Sequence, residues 1–368
     1  MSTLAKNLLL VSAVSIFTLA GVELLLQQTE YRYFYKPYYN KFPDYYFQND
    51  VNLGADHAPN REPQWFDFHG PKHKVSTNSF GCFDYDREIE EEYILAVGDS
   101  NTWGYSPLEH MWTSHLESKL GKQIVKCGVS GTGTKYQIIK AKQVIEKIGI
   151  NPSAIILMYT VANDFNDDVA FPDHTVFEGQ RLNNFKYLDL QNGEVERRTL
   201  DEIKQNYSTH QVRIAGFKTK LKSKFIIAAL FDNFIDQLKK YKNPQSSVNI
   251  TDSVIYGKYE RNLLDLNIDQ YPWIEQKFHA HISNLRRFKL VTEKYGAKFV
   301  IVSTGKFTKA NLSKRLKNTF ANEFNYFHVK DDLNGTPTRH RFDSHWNKNG
   351  NRLAAERIQH YLNNIGGI

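Results

Sequence analysis

The sequence is poor in cysteine and lacks the usual nucleotide-binding motifs. Its 368 residues include only two cysteines, Cys82 and Cys127, which excludes a fold held by several disulfides and a zinc site with four cysteine ligands. Whether these two cysteines pair, and hence the redox compartment, is open at this stage. Gly128, Gly131 and Gly133 fit neither a Walker motif nor a dinucleotide-binding motif. The chain also contains no internal repeat.

The sequence also lacks an excess of positive charge that is distributed over the whole chain. The formal net charge is +7, yet residues 213–242 alone hold eight basic side chains against Asp232 and Asp236. Because the rest of the chain is close to neutral, we expect no nucleic-acid partner. Hydrophobic residues make up 41% and charged residues 24% of the chain, which is a globular composition and excludes general disorder.

A long apolar run is present only near the N-terminus. Residues 8–26 contain a single charge, Glu23, and as a helix they would span about 28 Å, close to the hydrocarbon thickness of a bilayer. Lys6 precedes the run, and residues 31–47 are rich in the aromatic side chains that favour the headgroup region. The sequence therefore predicts a transmembrane signal-anchor helix over 8–26 and an aromatic juxtamembrane linker over 27–50. The body would be extracytoplasmic, in the periplasm, on a single-pass protein of the cell membrane.

A cleaved signal peptide is the alternative. Thr18-Leu19-Ala20 is a poor cleavage site, and the apolar run continues beyond it, which favours retention of the helix. In both cases the rest of the chain is exported.

Short apolar runs alternate with stretches of helical spacing in the remaining sequence. Candidate strands cover residues 93–97, 123–127, 154–160 and 298–303, and candidate helices cover 135–148, 275–295 and 348–363. This alternation is typical of a parallel sheet with helices on both faces. We therefore expect a three-layer α/β/α fold, with residues 51–179 and 271–368 as the two parts of its core.

Residues 180–270 interrupt this alternation and are predicted to be a helical, basic insertion. Apolar residues recur at helical spacing from Phe225 to Leu238, and Lys218, Lys220 and Lys224 are among the lysines that precede them. One interpretation is a helix packed on the core with a solvated basic end. The other is a cap that contacts an anionic membrane surface or an acidic substrate.

Three candidate residues follow the ends of candidate strands, and two more lie just before the last candidate helix. Ser100 lies in GDSNTWG (98–104), Gly131 in CGVSGTG (127–133), Asn163 in VANDF (161–165), and Asp343 and His345 in FDSHWN (342–347). Because ligands bind at the carboxyl ends of the strands in such sheets, these loops are expected to converge.

The residue types suit acyl transfer. A serine hydroxyl such as that of Ser100 needs a base to take its proton, and His345 can serve as that base. Asp343, two residues before His345, points the same way on an extended segment and can orient the imidazole. The backbone N–H groups of Ser100 and Gly131 and the amide of Asn163 would hold an oxyanion.

In these four blocks the chain resembles the SGNH (GDSL-type) hydrolases, which carry Ser, Gly, Asn and His in this order. The resemblance covers residues 93–168 and 298–362. It implies Ser100 as the nucleophile, Gly131 and Asn163 as oxyanion residues, and Asp343 and His345 as the remaining catalytic pair. It further implies a serine-dependent ester hydrolase that acts on an ester-bearing lipid or polysaccharide, without a cofactor.

Two positions depart from the family pattern. Val161 stands where the family usually has glycine, and the usual Asp-x-x-His is here Asp343-Ser344-His345, followed by Trp346. The shorter form resembles the alginate-type O-acetyltransferase branch, so acyl transfer to an envelope polysaccharide is the alternative reaction. A third hypothesis, of another class, is a non-catalytic protein that binds or assembles envelope glycans.

Two groups that contain histidines are candidate metal sites. One comprises His340, Asp343 and His345; the other comprises Asp67 with His57, His69 and His73. Neither matches an established ligand spacing, so we expect no metal.

Overall fold

The computed structural model of the protein describes residues 3–29, 42–66, 73–89, 92–205, 207, 221, 225–242, 254–256, 262–330, 338–340 and 345–365. The chain divides into a larger unit (Phe42–Trp65, His73–Lys204 and Ile250–Ile368) and a smaller unit (Met1–Lys41, Phe66–Lys72 and Gln205–Asn249). Several predictions concern residues outside the described ranges: Asp67, His69, Asp343, the lysines at 218, 220, 222 and 224, and most of the aromatic run at 31–47.

The described strands, in chain order, are β1 (Phe47–Asp50), β2 (Gly54–His57), β3 (Arg61–Phe66), β4 (His73–Thr77), β5 (Ile94–Gly98), β6 (Ile124–Lys126), β7 (Ala154–Thr160), β8 (His174–Phe177), β9 (Gln180–Asn183), β10 (Phe185–Asp189), β11 (Val195–Arg197), β12 (Val254–Tyr256), β13 (Lys298–Thr304) and β14 (Asn325–His328). The helices are α1 (Thr3–Gln27), α2 (Ser100–Trp103), α3 (Trp112–Leu120), α4 (Thr134–Ile148), α5 (Asp164–Ala170), α6 (Ile226–Lys242), α7 (Trp273–Lys294), α8 (Asn311–Glu323) and α9 (Lys348–Asn364). Short 3₁₀ turns lie at Leu108–His110 and Leu263–Asp265.

A five-stranded parallel sheet of order β14-β13-β7-β5-β6 forms the centre of the larger unit. The central strand β7 is buried along its whole length, as expected for a strand covered on both faces. Its side chains alternate between two cores, with Leu157 in one and Ile156 in the other. Helices α4, α7 and α8 contribute to the first core, whereas α3 and α9 contribute to the second.

The predicted architecture is therefore confirmed. The four predicted strands correspond to β5, β6, β7 and β13, and the three predicted core helices correspond to α4, α7 and α9. The edge strand β14 was not predicted, because its four residues (NYFH) are exposed or half-buried and carry no apolar run. Within the predicted insertion, the described residues include strands β9 to β12 as well as α6.

Cys82 and Cys127 form a disulfide in the core, which answers the question that the sequence left open. Another buried link joins β2 to α4, where the Lys140 ammonium lies 2.6 Å from the Asp56 carboxylate. Both side chains of this ion pair are almost fully buried. Burial lowers the pKa of Lys140, and the charge of Asp56 opposes that change.

Helix α1 belongs to the smaller unit, is long and apolar enough to cross a membrane, and leaves most of its apolar side chains exposed. A signal sequence near the N-terminus can have the same length and composition, so these two properties fit an anchor and a signal sequence alike. The described part of the chain contains no second helix of this kind.

Candidate active site

Ser100 lies at a sharp turn between a strand and a short helix. Strand β5 ends at Gly98, and Ser100 is the first residue of α2. Gly98 has φ +155°, and a Cβ there would lie 2.6 Å from the Met158 carbonyl oxygen of β7. This close approach of the neighbouring backbone requires glycine. The turn places Ser100 at the carboxyl edge of the sheet.

The buried carboxylate of Asp99 holds this turn together. Its Oδ1 accepts hydrogen bonds from the Asn101 N–H at 3.0 Å and the Thr160 hydroxyl at 2.8 Å. Its Oδ2 accepts from the Ser100 hydroxyl at 3.2 Å and from the Asn163 amide at 3.1 Å. The serine and the asparagine that the sequence singled out therefore meet at one oxygen atom. Asp99 is not among the candidate site residues that the sequence indicates.

Asn163 is the N-cap residue of α5, three residues beyond the end of β7. Its Nδ2 also donates to Asp167 Oδ2 at 2.8 Å, so the amide has two carboxylate partners in this state. An oxyanion would have to replace Asp99 as an acceptor, while the bond to Asp167 keeps the side chain oriented. Burial, together with the charges of Asp99 and Asp167, holds the pKa of the nearby Asp164 carboxyl well above its usual range.

Val161, which departs from the family pattern just before Asn163, is buried in the first core. Its N–H donates to the Thr304 carbonyl oxygen at 3.0 Å, so this loop stays tied to the end of β13. The departure from glycine is accommodated by packing of the valine side chain.

Gly131 lies in the loop that follows β6. Its φ of +68° is in the left-handed region, which favours glycine. The Thr132 hydroxyl donates to the Val129 carbonyl oxygen at 2.6 Å, and an Arg181 guanidinium nitrogen donates to the Ser130 carbonyl oxygen at 2.5 Å. These bonds hold the loop from both sides of Gly131.

A short antiparallel pairing positions His345 ahead of α9. The His340 N–H donates to the His345 carbonyl oxygen, and the Asn347 N–H donates to the Thr338 carbonyl oxygen, both at 3.0 Å. The next residue, Trp346, is buried in the second core. The segment is therefore anchored by its backbone and by one large side chain.

Tyr105 connects the histidine to the glycine loop. Its ring packs against that of His345 with centroids 4.1 Å apart, and its hydroxyl shares a hydrogen bond with the Ser130 hydroxyl at 2.8 Å. Tyr105 thus supports one face of the imidazole.

One cavity of about 550 Å³ joins these loops. Ser100, Gly131, Asn163 and His345 all line it, as does Arg339. They come from the segments after β5, β6 and β7 and from the segment before α9. The structure thus brings together the four described residues that the sequence singled out, whereas Asp343 lies outside the described residues.

Other lining residues were not predicted. Tyr105, Ser130, Thr160 and Arg339 all reach the cavity, and none of them belongs to a spacing that would mark it in the sequence. Among the described residues, no group of three His, Cys, Asp or Glu side chains could hold a metal ion. His57 and His73, from the second histidine group, are buried in the strands β2 and β4.

The fold and the candidate site together can be compared with the expectation from the sequence. A parallel sheet with helices on both faces carries Ser, Gly, Asn and His, in this chain order, around one cavity at its carboxyl edge. This is the architecture that the resemblance to SGNH-type hydrolases predicts.

No protein-family model matches the chain, and neither does any curated protein. Among solved structures it is similar to a protein from Desulfitobacterium hafniense DCB-2 described as lipolytic and of the G-D-S-L family (9% identity, TM-score 0.37, covering 73% of this chain and 99% of that one). It is also similar to an acetyl xylan esterase from the rumen bacterium Butyrivibrio proteoclasticus, with 10% identity and a TM-score of 0.36. That match covers 76% of this chain and 65% of the esterase chain. A third similar structure is a carbohydrate esterase family 2 enzyme with a carbohydrate-binding domain from Corynascus thermopiles (Myceliophthora fergusii), with 11% identity and a TM-score of 0.31. That match covers 80% of this chain and 73% of the enzyme chain. At these values the likeness carries no information on activity.

Proposed function

We propose that this protein is a serine-dependent acyl esterase of the SGNH type that acts on an extracytoplasmic ester. The observation that carries the proposal is the common cavity of Ser100, Gly131, Asn163 and His345, which reach it from four separate segments. A single serine or histidine in a loop would not indicate catalysis. A nucleophile, a base and oxyanion donors around one space are what acyl transfer needs.

In the first half of the reaction Ser100 is acylated. The Ser100 hydroxyl leaves Asp99 and transfers its proton to His345 while its oxygen attacks the ester carbonyl carbon. The negative charge that forms on the carbonyl oxygen is held by the Ser100 and Gly131 N–H groups and the Asn163 amide. The protonated His345 then gives its proton to the departing alcohol, and the acyl-serine remains.

Water completes the cycle. His345 takes a proton from a water molecule, whose oxygen attacks the acyl-serine carbonyl carbon, and the same donors hold the second oxyanion. Return of the proton to Ser100 releases the free acid. Asp343 is proposed to orient His345 throughout, as the family pattern implies.

The asparagine offers a direct test of the oxyanion site. Replacing Asn163 by alanine is expected to lower kcat about 100-fold with a smaller change in KM, because the charge it would stabilise exists only in the transition state. Asn101→Ala is the control, since Asn101 also lines the cavity but its amide donates to the Thr160 hydroxyl at 2.8 Å. Steady-state kinetics on a short activated ester measures both variants. Equal losses in the two would contradict the role given to Asn163.

Export is supported by two features. The apolar helix α1 meets the length and composition requirements of a membrane span, and the Cys82–Cys127 disulfide is of a kind that persists in oxidising compartments. We therefore propose that α1 is retained as a membrane anchor and that the rest of the chain lies outside the cytoplasm.

Fusions can test this topology. A reporter enzyme that is active only after export is expected to be active when fused after Gln270 and inactive when fused after Lys6, because the apolar run 8–26 lies between these positions. Reporter activity in whole cells and the N-terminal residue of the purified protein are the measurements. Activity at Gln270 only from a reporter that requires the cytoplasm would reverse the orientation. A mature N-terminus at Gly21 would show cleavage after Ala20.

Transfer to a sugar is the second candidate, and the Asp343-Ser344-His345-Trp346 pattern is its main support. In the structure, the Trp346 side chain packs in the second core and does not line the cavity. Trp346 thus supports the fold of this segment. Water is the default acceptor in an open site, so we rank hydrolysis first.

Product partition distinguishes the two reactions. With an acyl donor supplied with and without oligosaccharides, we expect most of the acyl group to appear as free acid in both mixtures, because water is far more concentrated than the added sugar and is the default acceptor of an acyl-serine. Mass spectrometry of the acid and of the acylated sugar gives the ratio. Predominant acylation of sugar at modest acceptor concentration would make the protein a transferase.

A further inference from the structure

The one charged residue of the apolar run has a specific partner within the smaller unit. The Glu23 side chain is 7% exposed, and its two carboxylate oxygens accept hydrogen bonds from the backbone N–H groups of Ile226 at 3.0 Å and Ile227 at 3.1 Å. These are the first two residues of α6. A carboxylate is costly within a bilayer, and the positive end of a helix dipole is a favourable partner for it. Glu23 therefore caps α6 and joins it to α1.

Helix α6 exposes an apolar stripe beside this joint. Phe231, Phe234 and Leu238 are 65%, 58% and 40% exposed, and their spacing of three and four places them on one side of the helix. Ile226 and Ala229, on another side, are buried. Exposed aromatic stripes of this kind mark surfaces that contact a partner or a membrane.

The position of Glu23 along α1 indicates which of these covers the stripe. Glu23 lies four residues before the C-terminal end of α1, or about 6 Å along its axis. If residues 8–26 span the hydrocarbon core, the Glu23 carboxylate lies just inside its outer boundary. The hydrogen bonds from Ile226 and Ile227 to Glu23 then hold the first turn of α6 at the boundary between headgroups and acyl chains. This is the depth at which amphipathic helices bind.

We propose that α6 is a second, interfacial membrane element, held to the anchor by Glu23, with Phe231, Phe234 and Leu238 inserted among the lipid acyl chains of the leaflet at the C-terminal end of α1. The proposal rests on the membrane anchor within the proposed function and is independent of the ester chemistry. It gives the protein two points of attachment to one leaflet, since α1 crosses the bilayer and α6 lies along its surface.

Depth-dependent quenching of a fluorophore tests the proposal on the full chain in phosphatidylcholine vesicles. Single cysteines are introduced by Phe234→Cys, Asp232→Cys and Ile16→Cys, and labelled with an environment-sensitive dye without reductant, so that Cys82 and Cys127 stay paired. Asp232 is the matched control, because it lies about 160° around α6 from Phe234. Ile16 reports on the anchor itself, since it is an exposed residue of α1.

A nitroxide on the lipid near the headgroup is expected to quench the dye at position 234 at least about twofold more than the dye at 232, and a nitroxide deep in the acyl chain is expected to quench position 16. Glu23→Ala should remove the quenching at 234 and leave that at 16. All four variants should hydrolyse a soluble ester at the wild-type rate, which separates this test from that of the ester chemistry.

Three results would overturn the proposal. Quenching at 16 with none at 234 would place α6 away from the lipid, and no quenching at 16 would remove the anchor that the proposal needs. Disulfide cross-linking of two Phe234→Cys chains in the vesicle before labelling would show that a second copy covers the stripe.

Discussion

Ser100→Ala is expected to lower kcat/KM on nitrophenyl acetate by at least about 10³-fold, because the proposed mechanism passes through an acyl intermediate on the Ser100 oxygen. The alanine should leave stability almost unchanged, since the hydrogen bond from the Ser100 hydroxyl to Asp99 is long, at 3.2 Å. Initial rates and thermal unfolding of the purified variant provide the two measurements.

Ser130→Ala is the matched control for this variant. Ser130 lines the same cavity, but its hydroxyl is paired with Tyr105 at 2.8 Å. A fluorophosphonate probe should label wild type and Ser130→Ala and should fail to label Ser100→Ala. Equal hydrolysis by wild type and Ser100→Ala, or labelling of both, would favour the hypothesis of a non-catalytic glycan-binding or assembly protein.

Asp56→Ala is expected to lower the free energy of unfolding by about 3–5 kcal/mol, because it leaves the buried ammonium of Lys140 without its counter-charge. Among the described residues, the hydrogen bond that remains to Lys140 would be the one to the Gly81 carbonyl oxygen, at 3.1 Å, and the Tyr136 hydroxyl would lose its bond of 2.9 Å to Asp56 Oδ1. Urea denaturation at neutral pH measures the change.

An exposed ion pair provides the control for this prediction. Glu92 and Lys122 are 2.7 Å apart, but the Glu92 side chain is 76% exposed, so Glu92→Ala should leave the urea midpoint unchanged. The double variant Asp56→Ala/Lys140→Met should regain part of the lost stability, because it removes the unpaired charge and restores apolar volume. A double variant no more stable than Asp56→Ala would show that the cost lies in packing and not in the isolated charge.

Much of the sheet could be predicted from the sequence because its inner strands leave a local signal. β7 is a run of seven residues, AIILMYT, that is buried throughout, and β13 is similar. A strand that is buried on both faces is a continuous apolar run, which can be recognised from its own residues alone. The edge strand β14 is covered less completely, and its NYFH sequence carries no such signal.

The partners of the site residues, by contrast, were decided by the tertiary structure. The blocks around Ser100, Gly131, Asn163 and His345 were recognised in the sequence, and their place in the loops of the predicted sheet predicted convergence. That the Asp99 carboxylate joins Ser100 to Asn163 depends on the parallel register of β5 and β7, which no local pattern specifies.

The same holds for contacts between distant segments. The packing of Tyr105 on His345, the pairing of Cys82 with Cys127, and the capping of α6 by Glu23 each join residues that are far apart in sequence. The amphipathic spacing of residues 225–238 predicted a helix, but the spacing alone favoured packing of its apolar stripe on the core. Secondary structure follows from interactions within a few residues, whereas these pairings form only when folding brings separate segments together, and their free energy depends on the burial that results.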